Sequence, residues 1–591
     1  MNINTIIKVN TQKAMKVLFD VEIETNAVSI NETRKEFDGE ATVVTFPFVR
    51  FTKKSPEETG NLIGEYLVAN VEEITAFNTV KGFLNLCISD KYWINFFKSA
   101  DQNNSFGTLE STGKKIVLEY CGPNTNKPLH LGHIRNMLLG FSTANLLTAA
   151  GNQVHKVNIY NDRGSNISKS MVAWQKYAHG ETPQSTSMKG DHFVGKYYVR
   201  YNTELNKEVA ELVAKGVDKK EAEKIAPIVQ AVNEMTILWE AHNPEVLALW
   251  NKMNGWVYEG FETSFNSLGI DFEKHYKESD YYIKGRDLVL QGVDQGIFEK
   301  KEDGAVFVDL TDDGLDEKIL IRSNGTSVYI TQDMGIAEAR YNDYKFDQMI
   351  YVVGQEQDYH FDVLKKVIHK LGNDYSDSIM HFSYGMVSLP EGKMKSREGT
   401  VVDADDLIQS MIDTATQHSK ELGKVDDLPA EEVTILNRKI ALAALKFFIL
   451  KVNPKKGVMF NPKESIDFQG NTGPFIQYTY TRINSMITKN DFDVTNVSND
   501  FKLEKVEKDL ILELHKLPSV ISSASKNYDV SELASYIYNL AKAYNKFYAN
   551  VSVIKAETTE LKNFRLSLSS FVAKTLKANL LILGIEVPER M

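Results

Sequence analysis

The sequence contains few cysteines and no long apolar run. Its 591 residues include only Cys87 and Cys121, which are too few for a disulfide framework or a four-cysteine zinc site. No apolar segment approaches the ~18 residues of a membrane span, and no apolar signal region follows the first Met. We therefore expect a soluble, cytoplasmic protein that does not contact a membrane and holds no structural metal.

Two nucleotide-binding signatures are also absent. No Gly-Lys pair, such as Gly195-Lys196, is followed by the Ser or Thr of a Walker A loop, and no Gly-x-Gly-x-x-Gly fingerprint follows a predicted strand. The sequence therefore gives no indication of a P-loop or of a common dinucleotide site.

The net charge of −11 argues against a protein that coats nucleic acid with its whole surface. The charge is uneven, because the part from Pro429 onward has 22 Lys and Arg against 17 Asp and Glu and is net +5, whereas the rest is net −16. A mildly basic C-terminal part fits a local contact with RNA. On charge alone, however, chance patterning of exposed helix faces is the simpler explanation.

The apolar patterns indicate several domains. Residues 1–108 mix β-rich and helical runs and are predicted to form an N-terminal α+β appendage. Residues 109–390 alternate strands and helices, which is typical of a doubly wound, Rossmann-like α/β domain with its ligand at the carboxyl ends of the strands. A helical insertion is predicted at about 165–268. Residues 391–454 follow, and from about Ala430 onward, including 455–591, the chain is predicted to be all helix. One apolar stripe there is predicted as core: Leu533, Tyr536, Ile537, Leu540, Tyr544 and Phe547.

The most informative stretch runs from Glu119 to His133. The apolar run before it, 116–118, predicts a buried strand. A helix is predicted from about Leu129 to Ala150, and Pro128 suits its first turn. Such a junction of strand, Gly/Pro loop and helix N-terminus binds anions, because free N–H groups and the positive end of the helix dipole face the ligand.

Two histidines stand at this helix start. His130 and His133 are three residues apart, so we expect both on one face of the first turn, where their rings can donate hydrogen bonds to phosphate oxygens. Gly132 between them lets a flat ring lie close to the backbone. Taken alone, the pair could also be ordinary surface histidines or zinc ligands, although the sequence offers no third ligand nearby.

The string His-Leu-Gly-His at 130–133 resembles the HIGH signature of class I aminoacyl-tRNA synthetases, and the longer string from Glu119 resembles the arginyl-tRNA synthetase family. The segment 392–400 resembles the second class I signature, KMSKS. The match is incomplete, because Ser396 stands where that signature has its second lysine and Lys395 comes one place early. A loop between glycines with three cations can clamp a polyphosphate.

Two further segments carry candidate ligand groups. Tyr329 and Asp333 are four residues apart, so on a helix they share a face, and a carboxylate beside a phenol suits a guanidinium. Gly354, Gln357 and His360 follow a predicted strand, at the sheet edge where a doubly wound fold binds ligands. Taken alone, a helix cap or a common polar loop would explain either segment.

The resemblance also includes residues 472–478 and 585–591, so it covers nearly the whole chain in order. It implies that 1–108 contacts tRNA, that 391–454 carries the signature loop and stem-contact helices, and that 455–591 is a helical anticodon-binding domain. The implied arginine-binding residues are Glu119, Asn124, Glu278, Tyr329, Asp333 and Gln357. The implied ATP-binding residues are Pro123, His130, Gly132, His133, Gly354, His360, Met394 and Ser396. The candidates for stabilising charge in catalysis are His130, His133, Lys127, Lys395 and Arg397.

The resemblance implies ATP-dependent ligation of L-arginine to tRNA(Arg) through arginyl-adenylate, with release of AMP and pyrophosphate. ATP with Mg²⁺ is implied, with the metal bound mainly by phosphates and water, and we expect a monomer. Another class I synthetase is the first alternative. Against it, a cysteinyl enzyme tends to hold zinc through cysteines, and a glutamate pocket should offer cations rather than Asp333 and Glu278.

A non-catalytic tRNA-binding paralogue and a small-molecule nucleotidyltransferase are the remaining alternatives. The intact histidine pair argues against the paralogue, and the long helical C-terminal part argues against the nucleotidyltransferase.

Overall fold

A computed structural model of the chain describes residues 2–34, 36–390, 402–421, 428–492, 498 and 501–591. None of the helices described is both long enough and apolar enough to span a bilayer. The chain divides into two compact units. The first comprises Met1–Phe106, Arg482–Pro518 and Asn539–Thr575, and the second comprises Gly107–Thr481, Ser519–Tyr538 and Leu576–Met591.

The N-terminal part of the first unit mixes strands and helices, as predicted. Its elements are α1 (Ile3–Phe19), β1 (Ile30–Glu32), β2 (Ala41–Val44), α2 (Val49–Thr52), α3 (Pro56–Asn70), β3 (Ile74–Val80), β4 (Phe83–Ile88) and α4 (Asp90–Gln102). The strands form an antiparallel sheet in the order β1-β2-β4-β3. Helix α3 begins where local chemistry places it, because Ser55 Oγ accepts from Glu58 N–H at 3.1 Å and Pro56 occupies the first helical position.

The alternating part of the second unit confirms the predicted α/β class. Its elements are β5 (Lys115–Glu119), α5 (Leu131–Ala149), β6 (Gln153–Tyr160), α6 (Ser165–Tyr177), α7 (Pro183–Thr186), α8 (Gly190–Ala214), α9 (Lys219–Ile225), α10 (Pro227–Glu240), α11 (Pro244–Leu268), β7 (Lys274–Lys277), α12 (Glu278–Asp294), β8 (Glu299–Lys300), β9 (Val306–Val308), β10 (Lys318–Ile321), α13 (Tyr329–Tyr344), β11 (Gln348–Gly354), α14 (Asp358–Lys370), β12 (Ile379–Tyr384) and β13 (Val387–Ser388). Helices α6 to α11 account for the insertion.

A parallel sheet with strand order β12-β11-β5-β6-β7 forms the centre of this unit. Met349 of β11 pairs with Val117 of β5 on one side and with Ile379 of β12 on the other. These strands are buried and apolar, because a parallel sheet is covered by helices on both faces. The chain leaves β5 toward β6 on one side and returns as β11 on the other. The gap beyond the carboxyl ends of β5 and β11 is therefore the topological switch point, where such sheets bind ligands.

The chain after residue 401 is mostly helical, as predicted from about residue 430 onward. Its elements are α15 (Ala404–Glu421), α16 (Ala430–Leu450), β14 (Val458–Met459), α17 (Pro462–Ser465), α18 (Gly473–Ile487), α19 (Lys505–His515), α20 (Leu517–Asn527), α21 (Val530–Asn550) and α22 (Thr559–Ile582). Among the residues that the structure describes in this part, the exception is β14, which pairs in parallel with β13. Each residue of the predicted apolar stripe on α21 is at most 3% exposed, so its assignment to the core is confirmed.

The two C-terminal strings that resembled the family meet within the second unit. Gln477 Nε2 on α18 donates to Glu586 O at 2.7 Å and to Lys439 O at 3.2 Å. Lys446 Nζ on α16 donates to Gly584 O. The last residues of the chain are thereby fixed against the helices that follow the parallel sheet.

Candidate active site

A cavity of about 400 Å³ lies at the switch point of the parallel sheet. The ends of β5 and β11, the start of α5 and the first turns of α13 and α14 supply most of its walls. Of the residues predicted for the site, it is lined by Glu119, His130, Gly132, His133, Asp333, Gly354, Gln357 and His360. The structure thus brings together segments that were separate strings in the sequence.

The predicted histidine pair forms one wall. The rings of His130 and His133 lie with centroids 3.9 Å apart and planes tilted by 33°. His130 N–H donates to His133 Nδ1 at 3.1 Å. This bond occupies Nδ1, so neutral His133 carries its ring hydrogen on Nε2, where it can donate to a ligand.

The helix that carries the pair begins later than predicted. Its first residue is Leu131 and its N-cap is His130, so Pro128 precedes the helix and does not lie in its first turn. The reason is tertiary, because Leu131 N–H donates to Val402 O at 3.2 Å and His130 forms a β-bridge with Asp403. This pairing holds the backbone before the helix extended.

Both imidazoles are neutral at neutral pH. Burial, with the nearby Lys127 charge, lowers the pKa of His130 to about 4. Burial and the neighbouring His130 and Lys127 hold the pKa of His133 well below its usual value. The pair can therefore offer hydrogen bonds to an anion without bringing positive charge of its own.

Gly132 lines this part of the cavity, whereas Lys127 is not among the lining residues. A Cβ on Gly132 would lie 2.9 Å from Cε1 of His130, so the flat ring that Gly132 admits in this structure is that of His130. Lys127 is partly buried, and burial lowers the pKa of its ammonium. It lies close enough to both histidines to act on them electrostatically.

The opposite end of the cavity is acidic. Asp333, one turn into α13, accepts a 2.6 Å contact from Nε2 of His360 on α14. Both side chains remain partly exposed to the cavity, at 33% and 26%. The predicted arginine-binding carboxylate and a predicted ATP-binding histidine are therefore direct partners here.

Glu119, at the end of β5, is paired with Arg340 of α13. The Arg340 side chain is completely buried and the Glu119 side chain is 11% exposed. Burial raises the pKa of the Glu119 carboxyl, and the Arg340 guanidinium opposes that rise. Sequence analysis named Glu119 but not its partner.

Glu278, the first residue of α12, is also buried and faces a guanidinium of the chain. Its carboxylate lies 3.9 Å from Arg163, and the Asp333 charge acts on it. Burial raises the pKa of Glu278 to about 8 despite Arg163. Glu278 is not among the residues that line the cavity, so it belongs to the second layer of the acidic end.

Several residues predicted for the site do not line the cavity, and others fall outside the residues that the structure describes. Pro123 is buried in the loop after β5 and Asn124 is exposed there, with a backbone bridge to Asn161. Tyr329 begins α13, one turn before Asp333 as predicted, with its side chain 74% exposed. None of these residues lines the described cavity. The signature-loop candidates lie outside the described residues: Met394, Lys395, Ser396 and Arg397.

Asn136 is a site residue that sequence reasoning missed. Its Oδ1 accepts from Cys121 N–H at 2.6 Å, and its Nδ2 donates to Val352 O at 2.7 Å and to the Tyr384 hydroxyl at 3.1 Å. It thereby ties α5 to β5, β11 and β12 where they line the cavity. Its spacing of three residues after His133 was the available signal.

A second polar cluster borders the segment after the signature loop. Nε2 of His192 lies 3.2 Å from Asp403 and 3.3 Å from Asp405, and hydrogen bonds to these carboxylates raise the pKa of His192 to about 10. Ligand atoms of Asp191, His192 and Asp405 are close enough to hold a metal. Lys189 Nζ already contacts Asp191 at 3.0 Å and Asp405 at 2.5 Å, so Lys189 and His192 both supply positive charge to the carboxylates of this cluster.

Two family models match this chain, one over the part that contains the cavity and one over the helical C-terminal part. The family model described as tRNA synthetases class I (R), catalytic domain, matches residues 99–461. The model of the DALR anticodon binding domain matches residues 476–591. Together these matches include the cavity and the helical C-terminal part.

Curated relatives match over their full lengths. An arginine–tRNA ligase of Bacteroides thetaiotaomicron is 50% identical over 583 residues, which cover 98% of both chains. One from Flavobacterium psychrophilum is 49% identical over 604 residues, covering both chains completely.

Two solved structures have the same fold. The arginyl-tRNA synthetase of Thermus thermophilus matches with a TM-score of 0.77 at 22% identity over 99% of both chains. That of Plasmodium falciparum matches with a TM-score of 0.75 at 20% identity over 100% of this chain and 99% of the other.

Proposed function

The chain belongs to the arginyl-tRNA synthetases, and from that premise we propose that the cavity at the ends of β5 and β11 is where arginyl-adenylate is made. The enzyme ligates L-arginine to tRNA(Arg) at the expense of ATP and releases AMP and pyrophosphate. The observation that carries the proposal is the make-up of the cavity lining, which combines the carboxylates of Asp333 and Glu119 with the paired rings of His130 and His133.

The acidic end takes the arginine side chain. Asp333 receives the guanidinium, because a carboxylate offers the charged acceptor that a fork of N–H donors needs. Glu119 and Glu278 contribute further negative charge from the end of β5 and the start of α12. Tyr329, Asn124 and Gln357 are also assigned to the arginine site. Together they bind the side chain, the amine and the carboxylate of arginine.

The histidine end takes the phosphates of ATP. Neutral His130 and His133 donate hydrogen bonds to phosphate oxygens, and Gly132 leaves room for their rings. Gly354 and His360, at the end of β11 and on α14, bind the nucleoside. Pro123, Met394 and Ser396 are assigned to the remainder of the ATP site.

In the first step the arginine carboxylate attacks the α-phosphorus, the bond to the β-phosphate breaks, and pyrophosphate leaves. In the second step a ribose hydroxyl of the terminal adenosine, the 2′-OH, attacks the carbonyl carbon of the adenylate and AMP leaves. The chain supplies no nucleophile, so catalysis rests on positioning and on stabilising charge. Lys127, Lys395 and Arg397 are the cations assigned to that charge.

Mg²⁺ enters with ATP and is held chiefly by phosphates and water. Two of the three carboxylate residues that line the cavity support this, because Glu119 and Asp333 are already paired with Arg340 and His360, whereas the third is Glu356. A metal bound in a protein cage would have to displace these partners.

The remaining assignments concern the larger substrate. Residues 1–108 contact tRNA, 109–390 form the catalytic domain, 391–454 carry the signature loop and stem-contact helices, and 455–591 bind the anticodon. The last range overlaps the DALR match at 476–591. We further propose that the enzyme acts in the cytoplasm, where charged tRNA is used, and as a monomer.

ATP–pyrophosphate exchange with each of the twenty amino acids, with and without tRNA, tests the function. We expect exchange that depends on arginine and is stimulated by tRNA. Equal or greater exchange with another amino acid would indicate a different class I specificity. Exchange with none of them would indicate a non-catalytic paralogue.

A further inference from the structure

Arg340 is a buried charged residue to which the reaction assigns no role. It lies on α13 seven residues after Asp333, so the two side chains leave the helix on the same face two turns apart. Asp333 lines the cavity, whereas the Arg340 side chain is completely buried beneath it. A fully buried arginine is rare unless it is paired.

The Arg340 guanidinium lies beside one carboxylate and two aromatic rings. Its carboxylate partner among the described residues is Glu119. The guanidinium carbon lies 4.8 Å from the ring centroid of Tyr276 on β7 and 5.5 Å from that of Tyr351 on β11. Tyr351 itself lines the cavity. Helix α13 and strands β5, β7 and β11 therefore hold this ion pair from several sides.

Two carboxyl groups of the acidic end already face an arginine side chain of this protein. Of the three carboxyl groups assigned to arginine, Glu119 faces Arg340 and Glu278 faces Arg163. Asp333 contacts a histidine instead. Because a carboxylate has two oxygens, Glu119 can accept from Arg340 on one and from a bound guanidinium on the other.

We propose that Arg340 is a positioning residue that holds the Glu119 carboxylate ionised and in one orientation, and thereby sets the affinity of the site for arginine. The inference rests on the proposed function, since it takes the acidic end as the arginine site. It adds a residue that acts on substrate only through Glu119.

The ion pair has a pH signature that a merely structural arginine lacks. Without Arg340, burial and the negative charge of Asp333 would both raise the pKa of Glu119 unopposed. Protonated Glu119 is a poorer guanidinium acceptor, so arginine affinity in a variant without Arg340 should recover as pH rises. The other titratable or charged groups around the pair are Asp333, His360, Glu278, Asp343 and the tyrosines Tyr276, Tyr281, Tyr344 and Tyr351. Arg340 also acts on these tyrosines, but burial raises the pKa of each of them above its ordinary value. The change with pH in the ratio of variant to wild-type dissociation constants therefore reports the effect on Glu119.

Arg340→Met and Arg340→Lys test the proposal by calorimetric titration with L-arginine between pH 6 and 9, together with KM values in the exchange reaction. Arg340→Met should weaken arginine binding by about 10²-fold at pH 6 and progressively less toward pH 9, with the KM for ATP unchanged. Arg340→Lys should have an arginine affinity between those of Arg340→Met and the wild type, because lysine keeps the positive charge but not the planar fork of N–H donors. The matched control is Arg438→Met, which removes an arginine bonded to Ser267 away from the cavity and should bind arginine normally.

A double variant, Glu119→Gln with Arg340→Met, covers the case in which the single variant fails to fold, because it removes both buried charges together. It should bind arginine weakly, with a ratio to wild type that does not change with pH. Wild-type arginine affinity in either variant, or equal losses for arginine and ATP, would overturn the proposal. If wild-type enzyme shows no arginine-dependent exchange, the proposed function fails, whatever the Arg340 variants do.

Discussion

The two ends of the cavity handle charge in opposite ways. At the acidic end Glu119 and Asp333 each have a partner side chain beside the carboxylate, with Arg340 at Glu119 and His360 at Asp333. At the histidine end burial removes charge, so that His130 and His133 are neutral donors. The acidic end therefore presents carboxylates to its substrate, whereas the histidine end presents uncharged hydrogen-bond donors.

This difference follows from what each substrate brings. A guanidinium has the same charge before, during and after the reaction, and burying it requires a fixed anion. The phosphates of ATP gain and redistribute charge in the transition state. Strong fixed cations would bind ATP and pyrophosphate before and after that moment as tightly as during it, which does not raise kcat. Neutral donors aimed at the developing charge avoid this.

Removing the anion at the acidic end should give the largest effect. Asp333→Asn keeps the shape of the side chain but not its charge, so arginine affinity should fall by about 2–5 kcal/mol, whereas the affinity for uncharged citrulline should change little. Calorimetric titration with both ligands measures this. Glu338→Gln, which alters a carboxylate of the same helix that pairs with Lys284 at 3.3 Å, is the control. Unchanged arginine affinity in Asp333→Asn would place Asp333 outside the arginine site.

Removing a donor at the histidine end should act on rate rather than affinity. His130→Ala and His133→Ala should each lower kcat for adenylate formation about 10²–10³-fold, with the KM for arginine nearly unchanged. Steady-state exchange kinetics at saturating tRNA separate the two constants. His369→Ala serves as the control, because His369 bonds to Ser376 at 3.2 Å and lies outside the cavity lining. Near-normal kcat in either variant would make that histidine structural.

The sequence predicted best what depends on neighbouring residues. Strands β5 and β11 were visible because each contains a continuous apolar run, at 116–118 and 349–353, and the α/β class followed from the alternation of strands with helices. The histidines, Asp333 and Gln357 were visible because they belong to compact strings. The meeting of the histidines with Gln357 was expected from the strand ends, since parallel strands place their carboxyl ends at one edge. Asp333 lies on a helix and was joined to them only by the resemblance.

Features that depend on distant residues were not predictable. The late start of α5 follows from the pairing of Leu131 with Val402, and the partner of Glu119 is Arg340, far along the chain. The helical pattern after residue 430 likewise gave the helices but not their packing. Ser519–Tyr538 and Leu576–Met591 fall in the same compact unit as the parallel sheet, while the intervening segments do not.

Lys127 tests whether the histidine end is as free of fixed charge as the comparison suggests. It is the described cation that acts on both histidines, and the signature loop lacks its second lysine at Ser396. Lys127→Ala should lose about 10²-fold in kcat for adenylate formation, with arginine affinity nearly intact.

Two further variants make the Lys127 experiment decisive. Adding Ser396→Lys to Lys127→Ala should restore part of the rate, because it returns a cation to the signature position. Lys156→Ala, which removes a lysine paired with Asp271 at 2.5 Å, should have no effect. Normal exchange by Lys127→Ala would leave Lys395 or Arg397 as the source of charge.

The smallest effect on arginine binding is expected from the ionisation of Glu278 at the acidic end. Its pKa of about 8 means that the carboxyl is mostly protonated at pH 7 in the free enzyme. A bound guanidinium favours the ionised form, so arginine binding near pH 7 should release up to about one proton, and affinity should rise by at most about tenfold per pH unit until pH 8 and then level off. Calorimetry at pH 7 in buffers of different ionisation enthalpy counts that proton. Glu278→Gln should bind arginine without releasing it. A wild-type enzyme that releases none would show that Arg163 already holds Glu278 ionised, and that the carboxylates of the acidic end are all charged before arginine arrives.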